Sequence, residues 1–300
     1  MHENVSRRVA RGAAGRATPV GVLLAALLAL APALADAAGA TLERVKATGT
    51  IRFAYREAAL PFSFKDAGGR VRGYAVELCE RVAESIRAEL GLPKLDVRWL
   101  GANAANRIEL VAKGDADAEC GTTTITLGRM AEVDFSVPYF VDGGSVLVRA
   151  QAGIVRLADL KGRRIAVIPR TTTERALLAH LGAAGAQATQ VPVADVGEGL
   201  RALAAGSVDG VAADRILLAV QRMRLADPAG YAFVADDFSY EPYAVVVRRD
   251  DPDFRLAVNR ALVRLYRSGD VDPIFQRWFG ELGQPGQLLH AMFYLQQFQD

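Results

Sequence analysis

Leu110-Val111-Ala112-Lys113-Gly114-Asp115-Ala116-Asp117 and Leu203-Ala204-Ala205-Gly206-Ser207-Val208-Asp209 are two versions of one pattern. In each, a helical run ends at glycine, and an aspartate follows three residues on, inside the next strand. Glycine just past a periodic run is a helix stop, because it adopts the left-handed conformation without steric cost. Thr122 lies eight residues after Gly114, and Asp214 lies eight after Gly206. The spacing places Thr122 and Asp214 at matching strand ends of two similar halves. In open α/β sheets, ligands bind outside the carboxyl ends of strands. Two such ends facing each other make a cleft.

The same alternation extends in both directions. In the first half, strands are expected over 51–55, 95–99 and 116–119, with helices over 74–90 and 106–113. Ala75, Cys79, Val82, Ile86 and Leu90 recur at helical spacing on one face. In the second half, strands are expected over 164–168, 188–193 and 208–213. A helical turn over 157–161 and helices over 173–181 and 196–205 separate them, the first long one stopped at Gly182. Asp251-Pro252, a cap followed by proline, opens an amphipathic helix over 254–266. Strands alternating with helices imply an α/β fold of mostly parallel sheets covered on both faces.

The chain has 300 residues, 51% apolar and 23% charged, which is globular and leaves room for two compact domains. Residues 1–35 read as a secretory signal. Arg7, Arg8, Arg11 and Arg16 stand against Glu3, residues 20–30 are only Val, Gly, Leu and Ala, and Ala33-Leu34-Ala35 is a small-x-small cleavage site. That apolar run is shorter than the roughly 20 residues of a spanning helix. Without the signal, Lys plus Arg falls to 32 against 33 Asp plus Glu. Such a chain, near neutrality, has no basic footprint for nucleic acid, and a periplasmic monomer is expected. Export would expose Cys79 and Cys120 to oxidising conditions, where a disulfide forms if the sulfurs meet; two buried thiols are the alternative.

Several chemistries lack their parts. The three histidines are His2, His180 and His290, with no metal-ligand spacing among them. HExxH, CxxC, GxSxG, a Walker loop and a GxGxxG after a strand are all missing. Neither a metal nor a cofactor is expected, and binding is favoured over catalysis. Three arginines instead stand at strand or helix starts beside small polar residues: Arg56, Arg107 and Arg129. The guanidinium fork matches a carboxylate bidentately. Together with Asp214 they match the charge pattern of an acidic amino acid, two carboxylates and one ammonium. Thr122 and Thr124, in Gly121-Thr122-Thr123-Thr124, add hydroxyls that donate or accept. Thr171 opens Thr171-Thr172-Thr173 at a helix start, where free amides favour an anion.

The chain resembles the extracellular solute-binding proteins that serve amino-acid ABC transporters, most closely the glutamate/aspartate-binding members. The resemblance is carried over 41–280 by Gly73-Tyr74-Ala75-Val76-Glu77-Leu78-Cys79, Asn106-Arg107-Ile108, Glu119-Cys120-Gly121-Thr122-Thr123-Thr124, Arg129, Val133-Asp134-Phe135-Ser136-Val137-Pro138-Tyr139-Phe140 and Asp159-Leu160-Lys161-Gly162. It implies two lobes, 41–143 with 242–300 and 144–241, and an ABC permease as partner. It also implies roles. Arg129 would hold the α-carboxylate, Thr122, Thr124 and Asp214 the ammonium, Arg56 and Arg107 the side-chain carboxylate, and Thr171 would add a contact from the second lobe. Three positions depart from the pattern: Ala104 where a serine is expected, Val196 where a histidine is expected, and the extra charge of Arg170. A neutral or basic amino acid is the alternative ligand. The alternative activity is a cyclohexadienyl dehydratase, with Glu174 or Glu241 as its acid.

Overall fold

The computed structural model describes residues 40–299, so the signal-like segment lies outside the described residues. In chain order the strands are β1 (Thr50–Arg56), β2 (Ala58–Ala59), β3 (Ser63–Lys65), β4 (Val71–Arg72), β5 (Asp96–Ala102), β6 (Ala118–Cys120), β7 (Val133–Asp142), β8 (Gly144–Arg149), β9 (Arg164–Val167), β10 (Thr189–Pro192), β11 (Gly210–Asp214), β12 (Tyr231–Phe233) and β13 (Glu241–Arg248). They form one sheet in the order β5-β1-β6-β13-β7, a second in the order β10-β9-β11-β8-β12, and a small sheet β2-β3-β4.

The two large sheets are built alike. β6 and β11, the strands that follow the two glycine stops, are each third of five. Each sheet has three parallel strands on one side, β5-β1-β6 and β10-β9-β11. The sheets are less parallel than expected, because the other two strands of each pair antiparallel. Chain tracing gives the reason. β7 leaves the first sheet and passes straight into β8 of the second, and the chain returns later through β13. Outgoing and returning segments run in opposite directions, with Asp142 facing Glu241 and Phe140 facing Tyr243.

Helices cover the sheets where the apolar periodicity placed them. Tyr74–Glu89 buries Leu78, Cys79, Val82 and Ile86. Its start depends on Gly73, at φ 137°, where a Cβ would overlap the Phe62 carbonyl. Asp251 caps Pro252–Ser268 by accepting the Phe254 N–H at 3.2 Å. In the second half, Thr172–Ala183 and Val196–Ala204 flank β11. The first of these runs through Gly182 and ends near Gly185, which takes the left-handed φ of 61°. The expected stop at Gly182 is therefore one turn early: glycine inside a helix only lowers its propensity. Cys79 and Cys120 are disulfide-bonded, with a Cα separation of 6.3 Å, so the bond ties the Tyr74–Glu89 helix to β6. No described helix is long and apolar enough to cross a membrane.

An aromatic cluster lies under the crossing strands. Phe62 meets Phe140 edge-on at 4.8 Å and Tyr243 at 5.4 Å, and Phe279 packs against Phe62 at 5.2 Å. Phe62, Tyr243 and Phe279 are essentially fully buried. This cluster sets the position of the Tyr243 ring, whose hydroxyl reaches the site described next.

Candidate functional site

Each predicted residue sits where an element ends. Arg56 closes β1, and Arg107 opens the Arg107–Ala112 helix. Thr122 and Thr124 follow β6, and Arg129 lies in the short Leu127–Met130 helix. In the other half, Thr171 caps the Thr172–Ala183 helix by accepting the Glu174 N–H at 3.1 Å, and Asp214 ends β11. Arg56, Arg107, Thr122, Thr171 and Asp214 all line one small chamber between the two sheets. Its volume is about 20 Å³, enough for roughly one water. Thr124 and Arg129 stand just beside it. The Thr124 hydroxyl donates to Glu241 Oε2 at 2.5 Å, and Arg129 lines a neighbouring cavity. Of the three departures noted above, Ala104 and Arg170 line that neighbouring cavity too, while Val196 is buried in the core.

The side of the site supplied by the first sheet is strongly cationic. Arg56, Arg107 and Arg129 are 7%, 2% and 7% exposed, and a buried charge needs compensation. Arg107 donates through Nε to Thr123 Oγ1 at 2.7 Å and through Nη1 to the Ala104 carbonyl. Arg129 donates through Nη1 to the Thr124 carbonyl at 2.7 Å. These bonds aim the guanidinium groups and leave further donors over; the Arg56 guanidinium makes no hydrogen bond among the described residues. Burial pushes Arg107 down to about 9, helped by the like charges of Arg56 and Arg129 and opposed by Glu119 and Asp214. Burial also lowers Arg56, against the pull of Glu119 and then Asp214.

Glu119 is the internal counter-charge. It is fully buried near the end of β6. A Cβ on Gly121 would overlap Glu119 Oε1 and stand 2.5 Å from Arg56 Cγ, so the bend into the threonine loop needs glycine. Burial pushes the Glu119 carboxyl up, while Arg107 and Arg56 pull it down.

The opposite wall is anionic and hydroxylic. Asp214 accepts from Thr173 Oγ1 at 2.5 Å and from Tyr243 OH at 2.6 Å. Burial raises its carboxyl, and so does the charge of Glu241. Glu241 Oε2 also accepts from Thr172 Oγ1 at 2.6 Å, so one carboxylate oxygen bridges Thr124 of the first half and Thr172 of the second. Asp142, on the outgoing strand, is raised to about 8 by burial and by Asp214. A cationic wall, a facing carboxylate and a ring of hydroxyls can hold a small zwitterion that carries extra negative charge.

Residues 51–281 match the model of the bacterial extracellular solute-binding proteins, family 3. The chain belongs to that family. Family members similar to it include the L-glutamate/L-aspartate-binding protein of Pseudomonas aeruginosa, 35% identical over 86% of this chain and 85% of that one. The glutamate/aspartate import solute-binding protein of Escherichia coli is 31% identical, over 87% and 86%. Among solved structures, the ancestral amino acid-binding protein AncCDT-1, a precursor of cyclohexadienyl dehydratase, aligns with a TM-score of 0.70 and 28% identity, over 80% of this chain and 99% of that one.

The periodicity of this solute-binding chain says nothing of Tyr243, Thr172, Thr173 or Asp142. Tyr243 and Asp142 fall outside every strand read from the sequence, and Thr172 and Thr173 read as ordinary helix-start hydroxyls. Glu119 alone carries a signal, since a glutamate in the strand expected over 116–119 is out of place in a central strand.

Proposed function

We propose that this protein is the solute-binding component of an amino-acid ABC importer, and that it captures glutamate or aspartate between lobes 41–143 with 242–300 and 144–241. The observation that carries the reading is the set of three buried arginines with donors to spare, Arg56 and Arg107 sharing a small chamber with Asp214 and Arg129 standing beside it. Arg129 takes the α-carboxylate, Asp214 with Thr122 and Thr124 takes the ammonium, and Arg56 with Arg107 takes the side-chain carboxylate. Thr171 contacts the ligand from the second lobe. The similarity to glutamate/aspartate-binding relatives supports the same ligand class.

A chamber of about 20 Å³ is too small for an amino acid, so capture needs the lobes to part and close again. The bonds to be exchanged are those of Thr124 and Thr172 with Glu241 and of Thr173 and Tyr243 with Asp214. Ligand carboxylates also relieve the mutual repulsion of the arginines. Both gains exist only in the ligand-bound closed form, and such differential contact is what shifts a two-state equilibrium. The protein acts by binding alone, monomeric and periplasmic, and delivers its cargo to a membrane permease.

The test is a thermal-shift panel of the common amino acids on ligand-stripped chain lacking 1–35, repeated on Arg107→Ala. A ligand that binds only the folded state adds about 4 kcal/mol of stability at a thousandfold excess over Kd. Glutamate or aspartate should stabilise the wild type most, and Arg107→Ala should lose that preference. Stabilisation by neutral or basic amino acids instead would overturn the acidic assignment. No stabilisation by any amino acid, with turnover of prephenate or arogenate, would favour the dehydratase.

A further inference from the structure

Beside the small chamber lies a cavity of about 640 Å³, open at the mouth of the cleft. That volume falls within the usual range of roughly 300–1,000 Å³ for small-molecule sites. One wall is Ala104, Ala105 and Arg129, and the other is Arg170 and Arg175. Arg107, which lines the chamber, donates through Nη1 to the carbonyl of Ala104, which lines the cavity.

The cavity is charged for an anion. Among the described residues, the Arg170 and Arg175 side chains have no ion pair. Of the two acids on its rim, Glu109 is engaged by Lys113 at 2.5 Å, and Glu132 is exposed. Arg175 is close enough to Arg129 that its charge, after burial, does most to push Arg129 down. Arg170 adopts φ 66°, a conformation rarely taken by residues with a Cβ, and its N–H is held by Glu174 Oε2 at 2.8 Å. Ala104, small where a serine is expected, keeps the opposite wall short.

Arg129 gives the direction. It is buried, yet it lines this cavity and not the chamber. On the proposed binding mode, Arg129 meets the α-carboxyl end of the ligand, so that end faces the mouth. A ligand extended through its α-carboxyl group would leave its ammonium on Asp214 and its side chain on Arg56 and Arg107. We propose that the mouth cavity is a second anion subsite, and that the protein also binds dipeptides whose first residue is glutamate or aspartate, with the C-terminal carboxylate held by Arg170 and Arg175.

The inference rests on the reading of the site given above, and the test separates the two. Calorimetry would compare L-glutamate, L-Glu-L-Glu and Glu-Ala-amide on the wild type and on Arg170→Ala/Arg175→Ala. Charge-assisted hydrogen bonds are worth about 1.5–3 kcal/mol, so the double variant should lose about tenfold or more for Glu-Glu. Glutamate should lose several-fold less than Glu-Glu, because neither arginine lines the chamber and Arg175 reaches glutamate only through its charge beside Arg129. Glu-Ala-amide, which has no C-terminal charge, should bind both proteins equally weakly. Ala104→Leu, which fills the cavity from the other wall, should also cut Glu-Glu binding and spare glutamate. Wild-type binding of glutamate without Glu-Glu, or an equal loss of both ligands in the double variant, overturns the subsite alone. Binding of neither glutamate nor Glu-Glu by the wild type overturns the acidic-ligand reading and the subsite with it.

Discussion

Asp117 and Asp209 occupy equivalent places in the two halves and differ in what surrounds them. Asp117 accepts the Arg52 N–H at 2.7 Å and Arg52 Nη2 at 2.9 Å. Asp209 accepts the Arg164 N–H at 2.8 Å and Arg164 Nη2 at 3.0 Å. Each aspartate thus anchors the start of the neighbouring parallel strand. In the first half a further cation, Arg44 of the Ala40–Thr48 helix, bonds Asp117 at 2.5 Å, whereas the second cation at Asp209, Arg149, stands 3.9 Å away, and the Asp117 side chain is 3% exposed against 18% for Asp209. The first half also holds the disulfide and the three buried arginines. The second half meets the cleft with threonine hydroxyls and one carboxylate. Fixed charges need a rigid, sealed surround, whereas hydroxyl contacts re-form easily as a lobe moves. On the proposed closure, the first half is the platform and the second is the cover.

Removing the disulfide should cut deepest into that asymmetry. It closes a loop spanning 41 residues, worth ~4 kcal/mol in the chain-entropy account. Cys79→Ala/Cys120→Ala should lose ~3–4 kcal/mol in urea unfolding, with hydrogen exchange accelerated around β1 and β6 and unchanged around β9 and β11. Equal acceleration in both sheets would erase the distinction between platform and cover.

Binding comes next. Arg129→Ala should weaken glutamate by about 100-fold or more, because it removes one partner of a buried charge pair. Thr171→Ala removes one neutral contact and should cost about fivefold. Similar losses in calorimetry would mean that the halves share the ligand evenly. The anchoring aspartates sharpen the comparison: Asp117→Asn should destabilise by about 2 kcal/mol and Asp209→Asn by about 1 kcal/mol, since the exposed pair is already screened. Urea midpoints would measure both.

The smallest effect lies at the crossing between the halves. Asp142 is raised to about 8 in the folded protein, against about 3.9 in an unfolded chain. Between those values the folded state holds a proton that the unfolded state has lost. The contribution of Asp142 is fully present at low pH and is lost as pH rises through about 8. Asp142→Asn keeps an acceptor for the Ile216 N–H and removes the titration. Its stability should decline less between pH 7 and 9 than that of the wild type, by on the order of 1 kcal/mol. Parallel decline in thermal melts would place the pH dependence elsewhere, with Asp214 the next carboxyl to test.

Much of this molecule was legible from its chain. Helix starts such as Asp251-Pro252 and stops such as Gly114 and Gly206 are local events, decided by φ preference and by hydrogen bonds within one turn. So is the alternation that placed Thr122 and Asp214 at matching strand ends, and they do meet in one chamber. Gly182 shows the limit of local signals: it resembles a stop, but the left-handed turn forms at Gly185. The arginine set was legible as well, because its members stand at element ends beside small polar residues.

Composition and spacing by themselves determined the α/β alternation, the paired halves and the charge pattern of the cleft, since those follow from neighbours along the chain. The antiparallel crossing strands, the pairing of Cys79 with Cys120 and the seat of Glu119 under Arg56 were decided only by the tertiary structure. The same holds for Glu241, whose carboxylate is bridged by Thr124, 117 residues away, and by Thr172, 69 residues away. No periodicity reports contacts at such separations. They exist because β7 and β13 carry the chain between the two sheets, and polar groups buried where the halves meet must find partners there.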